Sequence, residues 1–95
     1  MSNQITDNTI DPFLDDVRAE VFRAARLFPA PNPTIAAMTE EIGEVAKSML
    51  HMREGKHNDW WQVYSECVQL AAMAARCAVE GDPTIGAEPN AENCK

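Results

Sequence analysis

Apolar side chains recur at spacings of three and four residues along three segments of the chain, and this period predicts three α-helices. Asp11 followed by Pro12 is typical of a helix start. The proline-rich run at residues 29–33 must end that helix, because proline lacks an N–H and disfavours helical geometry before it. In the first helix the recurring apolar positions are Phe13, Leu14, Val17, Val21, Ala24, Ala25 and Phe28.

The second helix is predicted from Thr34 to about Arg53, with Asn32 as its N-cap. A polar turn at residues 54–59 separates it from a third helix, which is predicted from about Trp60 to Glu80. The second helix carries one continuous apolar stripe formed by Ile35, Met38, Ile42, Val45, Met49 and Met52.

The third helix is apolar on nearly all sides, since only Gln69 and Arg76 are polar between Cys67 and Val79. Such a helix must be covered on several sides. The helical part has about 70 residues, a size at which one core rarely supplies more than about 3–5 kcal/mol. We therefore expect an all-α, three-helix bundle completed by homo-oligomerisation, as a homodimer or as a homotetramer of two dimers.

The chain is short enough for one domain, and we divide it into a flexible arm at residues 1–11, a helical domain at 12–82 and a flexible tail at 83–95. No apolar run approaches the ~20 residues of a membrane span, and the polar N-terminus resembles no targeting peptide. We expect a cytoplasmic protein with reduced thiols, since the three cysteines lack CxxC spacing. The net charge of -7 disfavours nucleic acid polymers and anionic membranes as partners.

Carboxylates stand out on two of the predicted helices. Glu41 and Glu44 lie three residues apart, beside the apolar stripe, and Glu66 and Gln69 repeat this spacing on the third helix. A short connection makes the two helices antiparallel neighbours, so both pairs could face one another. Clustered carboxylates repel unless a cation neutralises them. Oxygen ligands of this kind suit Mg²⁺ or Mn²⁺.

The alternative is that Glu40, Glu41 and Glu44 are solvated helix residues without a shared ligand. Glu66 favours the metal site over this alternative, because an unpaired carboxylate is disfavoured in apolar surroundings. Its helical neighbours are Gln62, Leu70, Met73 and Cys77.

The run Glu40-Glu41-Ile42-Gly43-Glu44, followed by Glu66-Cys67-Val68-Gln69, resembles the EExxE…ExxD signature of the MazG-like all-α nucleoside triphosphate pyrophosphatases. The flanking residues 36–39 and 69–76 also resemble that family, and the likeness covers roughly Phe22 to Asp82.

This resemblance implies a Mg²⁺-dependent enzyme that cleaves a nucleoside triphosphate into a monophosphate and pyrophosphate. Glu41, Glu44 and Glu66 would be metal ligands, and Glu41 would also take part in catalysis. Glu40 would be either a further ligand or the base that orients the attacking water. Gln69 stands where the family has Asp and would coordinate through its uncharged amide. The alternative is a non-catalytic helical nucleotide-binding or assembly module that lost activity at Gln69.

Four further side chains are candidates for substrate binding. Trp60 and Trp61 could stack a base, although tryptophans at a helix start more often belong to the core. Lys47 and Arg76 could contact phosphates, or they could be ordinary surface charges. Arg76 is the stronger of these two candidates because it is embedded among alanines.

Overall fold

The computed structural model describes residues 4–89, and three α-helices dominate it. They are Asp7–Leu27 (α1), Thr34–Arg53 (α2) and Trp60–Glu80 (α3), followed by a 3-10 turn at Pro83–Ile85. The described residues form no β-strand, only an isolated bridge between Asp82 and Ala87. The predicted all-α fold with three helices is therefore confirmed. None of the described helices is long and apolar enough to cross a membrane.

Helix α1 begins five residues earlier than the prediction from Asp11 and Pro12. Its N-cap is Thr6, whose hydroxyl accepts a hydrogen bond from the Thr9 N–H, while the Thr9 hydroxyl accepts one from the Thr6 N–H at 2.8 Å. Pro12 lies inside the helix, near its exposed N-terminal end. Asp11 is consequently not the cap, and residues 7–11 of the predicted arm belong to α1. The reciprocal threonine cap outweighs the proline signal.

Helix α3 is the centre of the fold. It packs against both α1 and α2, whereas α1 and α2 do not pack against each other within the described residues. Four aliphatic residues are buried, and three of them, Val63, Val68 and Ala72, lie on α3; the fourth is Ala24 of α1. The core is thus small, and an open groove separates α1 from α2.

The apolar stripe predicted on α2 splits into two rows. Met38, Val45 and Met52 are partly buried. Ile35, Ile42 and Met49 are about half exposed, with exposed fractions of 48%, 53% and 50%. This division follows from packing, because α2 has only α3 as a neighbour and one helix covers only part of a wide apolar face.

The N-terminus of α2 is capped from a distant part of the chain. The Ile35 N–H donates to Oδ2 of Asp82 at 2.9 Å, and the Thr34 hydroxyl donates to the Gly81 carbonyl at 2.8 Å. The cap predicted at Asn32 is wrong, since the residue at the N-cap position is Pro33, which makes no side-chain hydrogen bond. Hydrogen bonds from the Thr84 hydroxyl and from the Ile35 N–H lower the pKa of Asp82 below its ordinary value of 3.8.

Gly81 lets the chain turn sharply after α3. Its φ is +68°, and a Cβ at this position would lie 2.2 Å from the Ala87 carbonyl oxygen. Residues 83–87 of the predicted tail fold back through the 3-10 turn, and Ala87 forms an isolated bridge with Asp82. Residues 90–95 of the predicted tail lie outside the described residues.

Replacing Asp82 with alanine should lower the melting temperature by about 5 °C or more, since α2 and the 3-10 turn both lose a cap. Thermal unfolding followed by circular dichroism measures this shift. Asp11→Ala is the matched control, because Asp11 is exposed and caps no helix. Equal melting temperatures for the two variants would contradict the cap that Asp82 provides.

Candidate functional site

A cavity of about 370 Å³ occupies the groove between α1 and α2, with α3 as its floor. Its polar walls come from all three helices: Glu20 and Arg23 from α1, Glu40 and Glu41 from α2, and Gln69 and Arg76 from α3. Residues 32 and 33 also line it, ahead of α2. The groove exists because α3 holds the other two helices apart.

A smaller cavity of about 80 Å³ lies between α2 and α3. The two cavities lie about one helical turn apart along α2 and α3. Glu44 follows Glu41 by one turn on α2, and Glu66 precedes Gln69 by one turn on α3. The smaller cavity is lined by Glu44, Lys47, Ser48, His51, Gln62 and Glu66. The predicted ligands are therefore divided, with Glu41 and Gln69 at the larger cavity and Glu44 and Glu66 at the smaller one.

Glu41 is the electrostatic centre of the acidic cluster. Its side chain is partly buried, and its Oε2 is shielded from solvent without a hydrogen-bond partner. Burial raises the pKa of Glu41 above 4.5, and repulsion from other carboxylates raises it further. Those carboxylates are, in order of effect, Glu66, Glu44, Glu40 and Glu20. Acidic side chains from three helices thus act on one carboxyl group.

These side chains fit a cation by their chemistry. The unpartnered Oε2 of Glu41 lacks a donor, and the surrounding carboxylates leave excess negative charge. Carboxylate oxygens with the Gln69 amide form a donor set for a hard divalent ion. No group of three or more His, Cys, Asp or Glu side chains between residues 4 and 89 is arranged to hold a metal ion. Side-chain rotation would therefore have to accompany binding.

Glu20 was absent from the sequence-based candidates although it lines the larger cavity. Arg23 donates to it twice, from Nε to Oε1 at 2.7 Å and from Nη2 to Oε2 at 2.6 Å. This pair lowers the pKa of Glu20 below 4.5. The spacing of three residues is a visible sequence signal for the ion pair. Its position opposite Glu41 depends on how α1 packs on α3.

Arg76 lines the larger cavity, but its guanidinium group already has several acceptors. Nε and Nη2 donate to the two carboxylate oxygens of Glu80, both at 2.8 Å. Nη2 also donates to the Phe28 carbonyl at 2.7 Å, and Nη1 donates to the Ala24 carbonyl at 3.4 Å. Arg76 therefore ties α3 to the last turn of α1. A phosphate would have to compete with these acceptors.

The two tryptophans line neither of these cavities. Trp60 and Trp61 have exposed fractions of 55% and 71%. Trp61 packs edge-on against Tyr64, with ring centroids 5.1 Å apart, and the Tyr64 hydroxyl donates to Asp16. The structure thus places them at the start of α3 and does not bring them to the acidic cluster. Lys47, in contrast, does reach the smaller cavity.

Comparison of the chain with protein families, curated proteins and solved structures found no match. The resemblance to MazG-like pyrophosphatases consequently rests on the acidic motifs of the sequence and on the residues that flank them.

Proposed function

We propose that this protein is a Mg²⁺-dependent nucleoside triphosphate pyrophosphohydrolase that converts a ribo- or deoxyribonucleoside triphosphate to a monophosphate and pyrophosphate. A cellular role in cleansing the nucleotide pool fits this activity. The observation that carries the proposal is the partly buried Glu41, with an unpartnered oxygen and with repulsion from four neighbouring carboxylates. A divalent cation would relieve both conditions.

The charge balance of the larger cavity supports a requirement for metal. Its two guanidinium groups have carboxylate partners of their own, since Arg23 pairs with Glu20 and Arg76 pairs with Glu80. Glu40 and Glu41 have no such cationic partner among the described ion pairs. A triphosphate entering alone would face uncompensated negative charge. A metal ion carried with the triphosphate would remove this repulsion.

The residues divide into three roles under this proposal. Glu41, Glu44 and Glu66 would hold the metal, and Gln69 would contribute its amide oxygen. Glu40, which is exposed beside Glu41, is either a further ligand or the base that orients water. Lys47 contacts a phosphate from the smaller cavity. When bound, the metal would polarise the phosphate and lower the pKa of water.

Pyrophosphate release from the common ribo- and deoxyribonucleoside triphosphates, measured with Mg²⁺ and with chelator, tests the activity. We expect turnover of at least one of them, and only with the metal. Absence of turnover for all of them, together with absence of metal binding, would remove the proposal.

Gln69→Asp should raise the affinity for Mg²⁺ roughly tenfold, because a carboxylate adds charge where the amide adds none. Isothermal titration calorimetry measures this change. Ser65→Asp is the matched control, since it adds the same charge to α3 at an exposed position that lines neither cavity. Equal affinities for the two variants would place residue 69 outside the metal shell.

The second candidate is a non-catalytic helical module that binds nucleotides or serves in assembly. Two observations favour it. Gln69 is uncharged, and the described part of the chain contains no group of three or more His, Cys, Asp or Glu side chains placed to hold an ion. Thermal unfolding with Mg²⁺ and a nucleotide distinguishes a module that binds nucleotides from one that serves only in assembly. A ligand that binds the native state raises the melting temperature, whereas a pure assembly module should not respond.

A further inference from the structure

An ion pair on α1 forms part of the wall of the larger cavity. Glu20 and Arg23 both line this cavity, one helical turn apart. Nε and Nη2 of Arg23 donate to the two carboxylate oxygens of Glu20. The Arg23 side chain is 51% exposed, whereas the Glu20 side chain is only 18% exposed. The cationic member of the pair is therefore the one that an entering solute meets first.

The second guanidinium group of this cavity, that of Arg76, is fixed in place. Its side chain is 1% exposed and donates to acceptors on three residues, Glu80, Phe28 and Ala24. Turning it toward a ligand would break the link between α3 and α1. Arg23 has Glu20 as its one partner among the described hydrogen bonds and ion pairs, and exposed pairs of this kind contribute little to stability. Of the two arginines, only Arg23 can change its partner without disturbing the packing of the helices.

A polyphosphate offers the Arg23 guanidinium group more negative charge than Glu20 does. Arginine binds phosphate oxygens through two parallel hydrogen bonds, and its planar fork already bridges both oxygens of Glu20 in this way. A triphosphate carries several negative charges, whereas the Glu20 carboxylate carries one. Arg23 would consequently leave Glu20 for a triphosphate that enters the cavity.

The departure of Arg23 would change what Glu20 can bind. Both oxygens of Glu20 are occupied as long as Arg23 donates to them. Without Arg23 they become free acceptors in a cavity that Glu40 and Glu41 also line. The charge of Glu20 already contributes to the raised pKa of Glu41, so the two carboxylates repel one another across the groove. Glu20 without its arginine is therefore placed to join the oxygen donors for a divalent cation.

We propose that the Glu20–Arg23 pair couples the binding of polyphosphate to the binding of Mg²⁺: Arg23 moves to the phosphates, and the Glu20 carboxylate that it releases becomes a ligand of the metal. This inference rests on the proposed function, because it takes the groove to be the site of a metal–triphosphate complex. Without polyphosphate, Mg²⁺ must compete with Arg23 for Glu20. Each ligand then raises the affinity for the other by the same factor, as thermodynamic linkage requires.

Removing either member of the pair should release the other for its ligand. In isothermal titration calorimetry with Mg²⁺ alone, Arg23→Gln should bind at least roughly fivefold more tightly than wild type, because Glu20 has lost its competitor. With inorganic triphosphate and a chelator, Glu20→Gln should bind at least roughly fivefold more tightly than wild type, because Arg23 is already free.

A third titration adds inorganic triphosphate to protein saturated with Mg²⁺. Here Arg23→Gln should bind at least roughly tenfold more weakly than wild type, because the phosphates lose a charged donor. Arg26→Gln and Asp15→Asn are the matched controls. They make the same changes of charge at exposed positions of α1 that line neither cavity, so they should leave all three affinities unchanged.

Affinities of Arg23→Gln that match those of Arg26→Gln would overturn the coupling. If wild type nevertheless hydrolyses nucleoside triphosphates, the proposed function stands and only the exchange of partners is lost. A wild-type chain that binds neither Mg²⁺ nor triphosphate would remove the proposed function and the coupling together. Circular dichroism verifies that each variant is folded, as expected for an exposed pair. If Arg23→Gln unfolds, the triphosphate affinity of Glu20→Gln against Asp15→Asn still decides.

Discussion

Replacing Arg76 with alanine is expected to destabilise the protein by about 3 kcal/mol, the largest stability effect of any single substitution considered for this chain. The Arg76 side chain is almost fully buried and donates to Glu80, Phe28 and Ala24. Alanine would leave the Glu80 carboxylate and the Phe28 carbonyl without their donor, whereas the Ala24 carbonyl would keep the Phe28 N–H. A helical unit of this size has a free energy of unfolding of roughly 3–5 kcal/mol in total. Much of the Arg76→Ala protein would therefore be unfolded.

Urea unfolding followed by far-UV circular dichroism, without nucleotide, isolates this structural effect. Arg76→Lys retains the charge but cannot bridge Glu80 and the two carbonyls together, so its midpoint should lie between those of wild type and alanine. Arg23→Ala removes an exposed arginine from a similar pair on α1 and should leave the midpoint within error. An unchanged midpoint for Arg76→Ala would show that the link between α1 and α3 is not stabilising.

Replacing Glu41 with glutamine is expected to lower pyrophosphatase activity by at least roughly 100-fold, because the metal loses its central carboxylate. The same change should stabilise the metal-free fold at neutral pH, since the charged form of Glu41 is disfavoured there by burial and by neighbouring carboxylates. Opposite effects on activity and stability are typical of a functional site. Asp15→Asn, on exposed α1 surface, should change neither property.

The pH dependence of this stabilisation has a defined sign. The pKa of Glu41 in the folded state is raised above its ordinary value of 4.5. Ionised Glu41 therefore costs stability above the raised pKa, and the cost disappears as the pH falls through that pKa toward 4.5. Urea midpoints of wild type and Glu41→Gln should converge as the pH is lowered from 7 to below the ordinary value of 4.5. A constant gap would contradict the unfavourable environment of this carboxylate.

Wild type and Glu41→Gln also distinguish stabilisation by bound Mg²⁺ from the stability of the metal-free fold. Saturating Mg²⁺ should raise the midpoint of wild type by mass action, and it should have little effect on Glu41→Gln. Equal responses of the two proteins would indicate that Mg²⁺ binds elsewhere.

Local signals in the sequence were sufficient for most of the secondary structure. Helices α2 and α3 begin and end at the predicted residues, because prolines, glycine and a polar turn interrupt the periodic apolar pattern on either side. The start of α1 was missed, since a Thr6–Thr9 capping box precedes an apparent proline start. The position of the acidic residues beside the α2 stripe was likewise visible from helical spacing alone.

The remaining features required packing between residues far apart in the chain. Asp82 caps α2 across 47 residues, and Arg76 reaches the Phe28 carbonyl across 48. Helical periodicity describes which residues share a face but not which neighbour covers that face. The central position of α3 explains three such features: the separation of α1 from α2, the presence of Glu20 in the acidic cluster and the exposure of Ile42. Because α3 packs against the other two helices on different flanks, a groove forms on one side and an uncovered surface remains on the other.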